Sequence, residues 1–561
     1  MSKSEPTSGA TREPIEELVA RDPFRARRRE ARPVPAPDGG RGPRTVGDVL
    51  ARALAAHPDK EFLVGRGRRV TYAEFDALAA RAASALAALG VRAGDRVAAS
   101  LPTDVDIAVF FHGALRLGAV WLGINRNLAP PEKRFLLDDA GVSLVLADPE
   151  MATQIEAERA GLPRLREVVV CDRDARASCA WSAALDAATA PPPAVALDPH
   201  APAGIAYTSG TTGHPKGVVH THHNLLVPGA VLATLGDYRP DSRRGDCFPL
   251  TILNMQVLTT LLLAQVGATG VFMDRIDAEG VAEWIERERV TLFTAPTALI
   301  YSLAHDDRIA PRALATLERV FFGGGACPTP VIEAFEAKFG VPVRGTYGLT
   351  EMPTVVAQES RGERVPGASG RPLPHVRVTL RDADDAEVAP GEAGELCVEP
   401  ASAGPWAGVY TPMLGYWRRP EATAEALRGG RLHTGDVARL DAGGAVVVVD
   451  RKNLLIVRGG ANVYPAEVER ALHEDARVEA CAVVGAPDER LGERVAAFVQ
   501  LAPGAHASED ELVAHCRARL AKYKVPERIL FVDAMPRNAM GKIVRRELPA
   551  IELPAIEPSR R

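Results

Sequence analysis

The stretch Tyr207-Thr208-Ser209-Gly210-Thr211-Thr212-Gly213-His214-Pro215-Lys216-Gly217 gathers glycines, hydroxyls and a lysine into one short segment. Each residue type suits a polyphosphate. Glycines let the backbone come close and turn its N–H groups toward a ligand. Hydroxyls add donors, and Lys216 adds a compact positive charge. Composition alone would equally describe a flexible surface loop; the order of the residues argues for phosphate. The spacing is not G-x-x-x-x-G-K-[ST], so a Walker loop is not implied.

Outward from this stretch, helical and strand-like segments alternate. Apolar residues recur at helical spacing over 46–56, 72–89 and 107–117, and short apolar runs at 95–100, 144–147 and 168–171 read as strands. The alternation predicts parallel sheets covered by helices. Later the pattern changes. Short strands at 376–380, 395–399 and 445–449, separated by Gly and Asp turns, predict a smaller β subdomain that ends near Asp450. Beyond it, a helix at 466–473, strands at 480–484 and 495–500 and a helix at 509–520 form an α+β unit. The expected fold is multidomain α/β. A large N-terminal domain over 45–450 has two α/β subdomains and a β subdomain, and a small mobile α+β domain covers 451–549. Residues 1–44, polar and carrying Arg25-Ala26-Arg27-Arg28-Arg29, are expected to form a disordered tail, and 550–561 a second tail.

A chain of 561 residues exceeds one ordinary core. Its formal net charge of -5, with both signs interspersed, gives no basic field for nucleic acid. The 7 cysteines are dispersed, with no C-x-x-C pair, which argues against zinc or dithiol chemistry and fits reduced thiols in the cytoplasm. No apolar run reaches the roughly 18 residues of a spanning helix, and the N-terminus lacks the apolar stretch of a signal peptide. Oligomeric state is not legible.

The order of the 207–217 segment resembles the signature of the adenylate-forming superfamily, which includes acyl-CoA synthetases, adenylation domains of peptide synthetases and luciferases. The resemblance runs from about residue 45 to 549, with further motifs in order. It implies that Thr208, Ser209, Gly210, Thr211, Thr212, Gly213 and Lys216 hold the phosphates of ATP. Gly323-Gly324-Gly325-Ala326 is similar to the family's adenine-side loop, which makes Gly324, Gly325 and Ala326 nucleotide contacts. In Tyr347-Gly348-Leu349-Thr350-Glu351, Tyr347 and Gly348 would lie on the adenine, Thr350 on the α-phosphate, and Glu351 on Mg2+. These residue types fit those tasks: an aromatic face for a base, a hydroxyl for phosphate, a hard carboxylate for the metal. Thr434-Gly435-Asp436 resembles the ribose motif, since a carboxylate can accept from two vicinal hydroxyls; Arg451 would join it. Gly459, Gly460 and Asn462, in a G-G-x-N-x-x-P-x-E-V-E motif, would line the coenzyme A side. Lys542, in Gly541-Lys542, matches the catalytic lysine that bridges carboxylate and α-phosphate during adenylation.

Two departures stand out. After Pro249-Leu250 come Thr251-Ile252-Leu253-Asn254, where many acyl-CoA synthetases carry an aromatic–His pair. No acid lies between Phe248 and Val271, which argues against an amino-acid substrate. At the interdomain linker, Leu454 stands where the family has a polar hinge residue. By analogy Asn254, Met255 and Met352 line the acyl pocket. The resemblance implies an acid–thiol ligase. ATP and a small-molecule carboxylic acid give acyl-adenylate and pyrophosphate, then coenzyme A displaces AMP. The alternatives are delivery to an acyl carrier protein, catalysis of only one half-reaction, a light-emitting oxygenase, or a non-catalytic adenylate-binding protein. Pyrophosphate exchange measured beside thioester formation separates them.

Overall fold

The structure, a computed structural model, describes residues 14–208, 215–323, 327–359, 364–365, 367–451, 454, 456–458, 461–463, 465–488, 492–520, 522–537 and 543–549. Among these residues the chain builds four sheets. One runs Gly415–Tyr416, Lys216–Thr221, Pro202–Thr208, Val120–Gly123, Arg96–Ser100, Leu144–Ala147 and Glu167–Val170. Its last five strands pair in parallel, and the strands at 202–208, 216–221 and 415–416 are antiparallel neighbours. The central strands Arg96–Ser100 and Leu144–Ala147 are buried along their whole length, as strands covered on both faces must be.

The second, nine-stranded sheet has a parallel centre: Val343–Leu349, Arg319–Gly323, Leu292–Thr294, Arg243–Asp246, Thr269–Phe272 and Glu61–Gly65. Helices Tyr72–Ala88 and Val105–Arg116 pack against each other through small residues. A Cβ on Gly113 would sit 2.6 Å from that of Ala82. The first of these helices starts on a capping box: Thr71 Oγ1 accepts from the Glu74 N–H at 3.2 Å, and Glu74 Oε2 accepts from the Thr71 N–H at 2.8 Å. The third sheet is antiparallel, Val376–Arg381, Gly394–Pro400, Leu432–Leu440 and Val446–Arg451. The fourth belongs to the C-terminal unit, with strands Ala461–Val463, Ile456–Arg458, Gly492–Leu501, Val478–Asp488 and Arg528–Phe531. Helices Pro465–His473 and Glu509–Arg517 close that unit over its own apolar cluster of Ile456, Val468, Leu472, Val495, Leu512 and Cys516. The α/β class with a separate small domain is therefore as the sequence indicated.

Two expectations need correction. The helix expected over 46–56 is broken into a 3-10 turn, Val46–Asp48, and a helix, Ala51–Ala56. Asp48 caps Thr45, its Oδ2 accepting from the Thr45 N–H at 3.0 Å, and the tight turn ends before the helix begins. The expected tail is also not a free tail from residue 17 onward. Helix Arg25–Glu30 is docked on the large domain, with Phe24 and Arg28 both 3% exposed. Residues 1–13 lie outside the described residues. Composition missed the docking because a few dispersed apolar residues, Phe24, Val34 and Ala36, and one buried, paired arginine, Arg28, do most of the anchoring, while Arg25, Arg27 and Arg29 stay exposed.

Candidate active site

Ends of three sheets converge around the pentad at 347–351. The segment Ser209 to His214 connects two antiparallel strands whose last paired residues are Thr208 and Lys216. Those six residues lie outside the described residues, so the expected phosphate contacts of Ser209, Gly210, Thr211, Thr212 and Gly213 do too. Gly324, Gly325 and Ala326 are likewise outside, but their strand ends at Gly323, paired with Thr346. Thr346 Oγ1 donates to the Phe322 carbonyl at 2.9 Å. The last described residue of that strand, Gly323, is thus paired with the residue immediately before Tyr347.

Tyr347 and Asp436 meet. The Tyr347 hydroxyl donates to Asp436 Oδ2 at 2.6 Å, both residues being buried. The contact joins the nine-stranded sheet to the antiparallel β subdomain and was not foreseen from sequence. A carboxylate can accept from several donors at once. Asp436 also stands opposite Arg451 in the antiparallel pairing, which brings these two sequence-predicted residues together; the Arg451 side chain lies outside the described residues.

The next two pentad residues are held by the seven-stranded sheet. His220 Nε2 donates to the Thr350 carbonyl at 2.8 Å. Burial lowers the His220 pKa to about 4, so the imidazole is neutral near pH 7. The Tyr416 hydroxyl donates to Glu351 Oε1 at 2.7 Å, and Lys216 Nζ lies 5.3 Å from the Tyr416 ring centroid, within cation–π range. Glu351, Tyr416 and Lys216 are all half-buried. A hard carboxylate such as that of Glu351 suits Mg2+, which is commonly bound by one or two carboxylates together with substrate phosphates.

On the C-terminal unit, Lys542, Gly459 and Gly460 lie outside the described residues, as does the Asn462 side chain; the Asn462 backbone pairs with Val457. A bridge between Arg537 and Ile543 brackets the lysine segment. Leu454 is half-buried. Of the acyl-pocket residues, Met255 and Met352 are buried in two different apolar clusters, and Asn254 is half-buried on the short helix Leu253–Gln256. The helix continues into a π turn, Val257–Leu261.

Residues 50–417 match the model of the AMP-binding enzyme family, and 467–542 match that of the AMP-binding enzyme C-terminal domain. This chain belongs to the adenylate-forming, acyl-CoA synthetase-like family. It is similar to the long-chain-fatty-acid–CoA ligase FadD13 of Mycobacterium tuberculosis, 35% identical over 86% of this chain and 92% of that protein. It is 37% identical to a feruloyl-CoA synthase of Amycolatopsis sp over 86% of this chain and 94% of that one. Among solved structures, the anthranilate CoA ligase AuaEII in complex with anthranoyl-AMP superposes with a TM-score of 0.82 at 27% identity, covering 90% of this chain and 96% of that one. As an adenylate-forming protein the chain has two features that sequence motifs did not reveal, Tyr416 and His220. Both act across the join between sheets, where local spacing carries no signal.

Proposed function

We propose that this chain is an ATP-dependent carboxylic acid–coenzyme A ligase that runs both half-reactions. The observation that carries the assignment is the convergence of Lys216, Glu351, Tyr347 and Asp436 from three sheets. Such a site faces a phosphate chain at one end and a nucleoside at the other. In the first step a carboxylate oxygen of the acid attacks the α-phosphorus, the bond to the bridging oxygen breaks, and pyrophosphate leaves. Lys216 and the 208–213 segment bind the phosphates, Thr350 contacts the α-phosphate, and Asp436 with Arg451 holds the ribose. Lys542 neutralises charge between the carboxylate and the α-phosphate as it develops. Mg2+, when bound through Glu351, supplies charge neutralisation on the phosphate oxygens. In the second step the thiol of coenzyme A attacks the acyl carbon, loses its proton, and AMP leaves; Gly459, Gly460 and Asn462 line that approach. Leu454 serves as hinge between the two steps.

Asn254, Met255 and Met352 are our choice for the acyl side. Neutral side chains at those positions favour an acid with apolar or aromatic surface over a dianion. The 7 free cysteines agree with a cytoplasmic setting, and no described helix is long and apolar enough to cross a membrane. The test is a panel of acids assayed for AMP release with coenzyme A, with a phosphopantetheine-loaded carrier protein, and with neither. Acid-dependent pyrophosphate exchange together with release stimulated by coenzyme A supports the reading. Stimulation by the carrier alone, or exchange with no thioester, replaces it with the corresponding alternative.

A further inference from the structure

The family match begins at residue 50, yet the chain before it grips the segment that carries Tyr416. Arg28 forms a buried pair with Asp22, Nε to Oδ2 at 2.7 Å, with both side chains 3% exposed. Its two remaining nitrogens donate onward, Nη1 to the Pro412 carbonyl at 2.6 Å and Nη2 to the Met413 carbonyl at 2.7 Å. The same segment is held from the other side by His223 Nε2, donating to the Val409 carbonyl at 2.6 Å, and by the Asn224 amide on the Thr411 carbonyl. Side chains, rather than a neighbouring strand, therefore hold the carbonyls at 409 and 411–413. Only at Leu414 does the chain join the sheet, its N–H donating to the Val219 carbonyl at 2.9 Å. Phe24 packs in one cluster with Met413, Tyr347, Leu349 and Met352. A Cβ on Gly415 would sit 3.2 Å from Leu18 Cδ1, so the N-terminal strap also approaches the backbone immediately before Tyr416.

We propose that Asp22 and Arg28 are positioning residues for adenylation, fixing the 412–416 backbone so that the Tyr416 phenol holds the Glu351 carboxylate in place. Arg28 has no role in the chemistry itself. It fills carbonyls three and four residues before Tyr416, and that tyrosine then spans to the pentad. The inference rests on the metal-binding role of Glu351.

The experiment measures the Mg2+ concentration at half-maximal thermal stabilisation by a non-hydrolysable ATP analogue, alongside pyrophosphate exchange and thioesterification of supplied acyl-AMP. Arg28→Met should raise the Mg2+ midpoint by about three- to tenfold and slow exchange in proportion. Thioesterification should stay within about twofold, and Arg28→Lys should restore part of the shift. In a Tyr416→Phe background Arg28→Met should add nothing further. Arg28→Met leaves the Asp22 carboxylate buried and unpaired, so the double variant Asp22→Asn, Arg28→Met is made as well and should give the same midpoint. A lowered melting temperature of either variant with an unmoved Mg2+ midpoint reduces the strap to a stabilising clamp and overturns the proposal. So do shifts that multiply in the Tyr416→Phe background. Glu351→Gln is the reference. If it leaves the midpoint unmoved, the metal reading falls and this inference with it; if it moves the midpoint while Arg28→Met does not, the strap inference alone falls.

Discussion

The pentad at 347–351 and the described residues on either side of Lys542 are held in opposite ways. Thr350 and Glu351 are fastened by His220 and Tyr416, which are 130 and 65 residues away in sequence, and Tyr347 is fastened by Asp436, 89 residues away. Each bond crosses between sheets of the large domain. Among the described residues that flank the lysine segment, Arg545 is tied within the small unit: its Nη2 donates to Glu469 Oε1 at 2.5 Å, and its Nε donates to the Val483 carbonyl. The small unit's apolar clusters are separate from those of the large domain. One side of the site is thus preorganised by long-range bonds, and the other rides on a body with its own core. Preorganised groups stabilise charge without reorganising during the reaction. A group on a separate body can be exchanged for another between steps.

The sharpest way to break this comparison is to remove the lysine. Lys542→Ala should slow pyrophosphate exchange by about a hundredfold or more. Thioesterification of supplied acyl-AMP and the melting temperature should be nearly unchanged, because the large domain keeps its own bonds. Near wild-type exchange in the variant would remove Lys542 from the chemistry.

Acid should weaken the preorganised side. Burial lowers His220, His222 and His223 to about 4 and His112 and His375 to about 3. A histidine kept neutral in the fold but protonated in the unfolded chain stabilises fully above its unfolded pKa of about 6.5. That stability is lost as pH falls from 6.5 through the folded value. His220 alone contributes up to about 3 kcal/mol to this slope. Equilibrium unfolding between pH 7 and 4 should show a steep loss, and His220→Gln should flatten it. An unchanged slope in the variant would show that the imidazole is not held neutral by burial.

Tyr347→Phe is milder. It deletes the donor to Asp436 and leaves a buried carboxylate one partner short, a change worth about 1–2 kcal/mol. Nucleotide affinity should fall about tenfold, measured by calorimetry with a non-hydrolysable ATP analogue. Thioesterification at saturating acyl-AMP should be less affected. Equal loss in both would mean that the pair supports the fold rather than the nucleoside site.

Legibility followed the range of the interaction. The strand at Leu144–Ala147 and the helix ending at His473 were readable because apolar period is local. The 207–217 segment and Thr434-Gly435-Asp436 could be singled out because their residue types sit close together in the chain. The Asp436–Arg451 pairing needed only one hairpin. Tyr416 and His220 carry no local pattern, since a tyrosine after Gly415 and a histidine within a strand have many ordinary roles. The arginine run at 25–29 misled for a related reason. Arg25, Arg27 and Arg29 are exposed as a charged run should be, but Arg28 is buried on carbonyls 384 and 385 residues away. Composition averages those four into one solvated segment.

The smallest effect concerns the join between the two regions. Leu454 lies between the strand ending at Arg451 and the strand starting at Ile456. It is half-buried in this arrangement. If the small unit rotates between the half-reactions, the apolar surface of Leu454 is covered to different extents in the two poses. Complete burial of a leucine is worth about 1.5–3 kcal/mol, so a partial difference sets an upper bound of about one decade in population. Leu454→Asp should therefore change the ratio of adenylation to thioesterification rates several-fold while leaving nucleotide affinity, set by the large domain, in place. Leu454→Pro should damage one half-reaction selectively, because proline fixes its own φ and restricts rotation there. Single-turnover measurements of both steps in wild type and both variants decide it. If both rates scale together in every variant, the pivot is not at Leu454, and the two regions exchange about some other part of the linker.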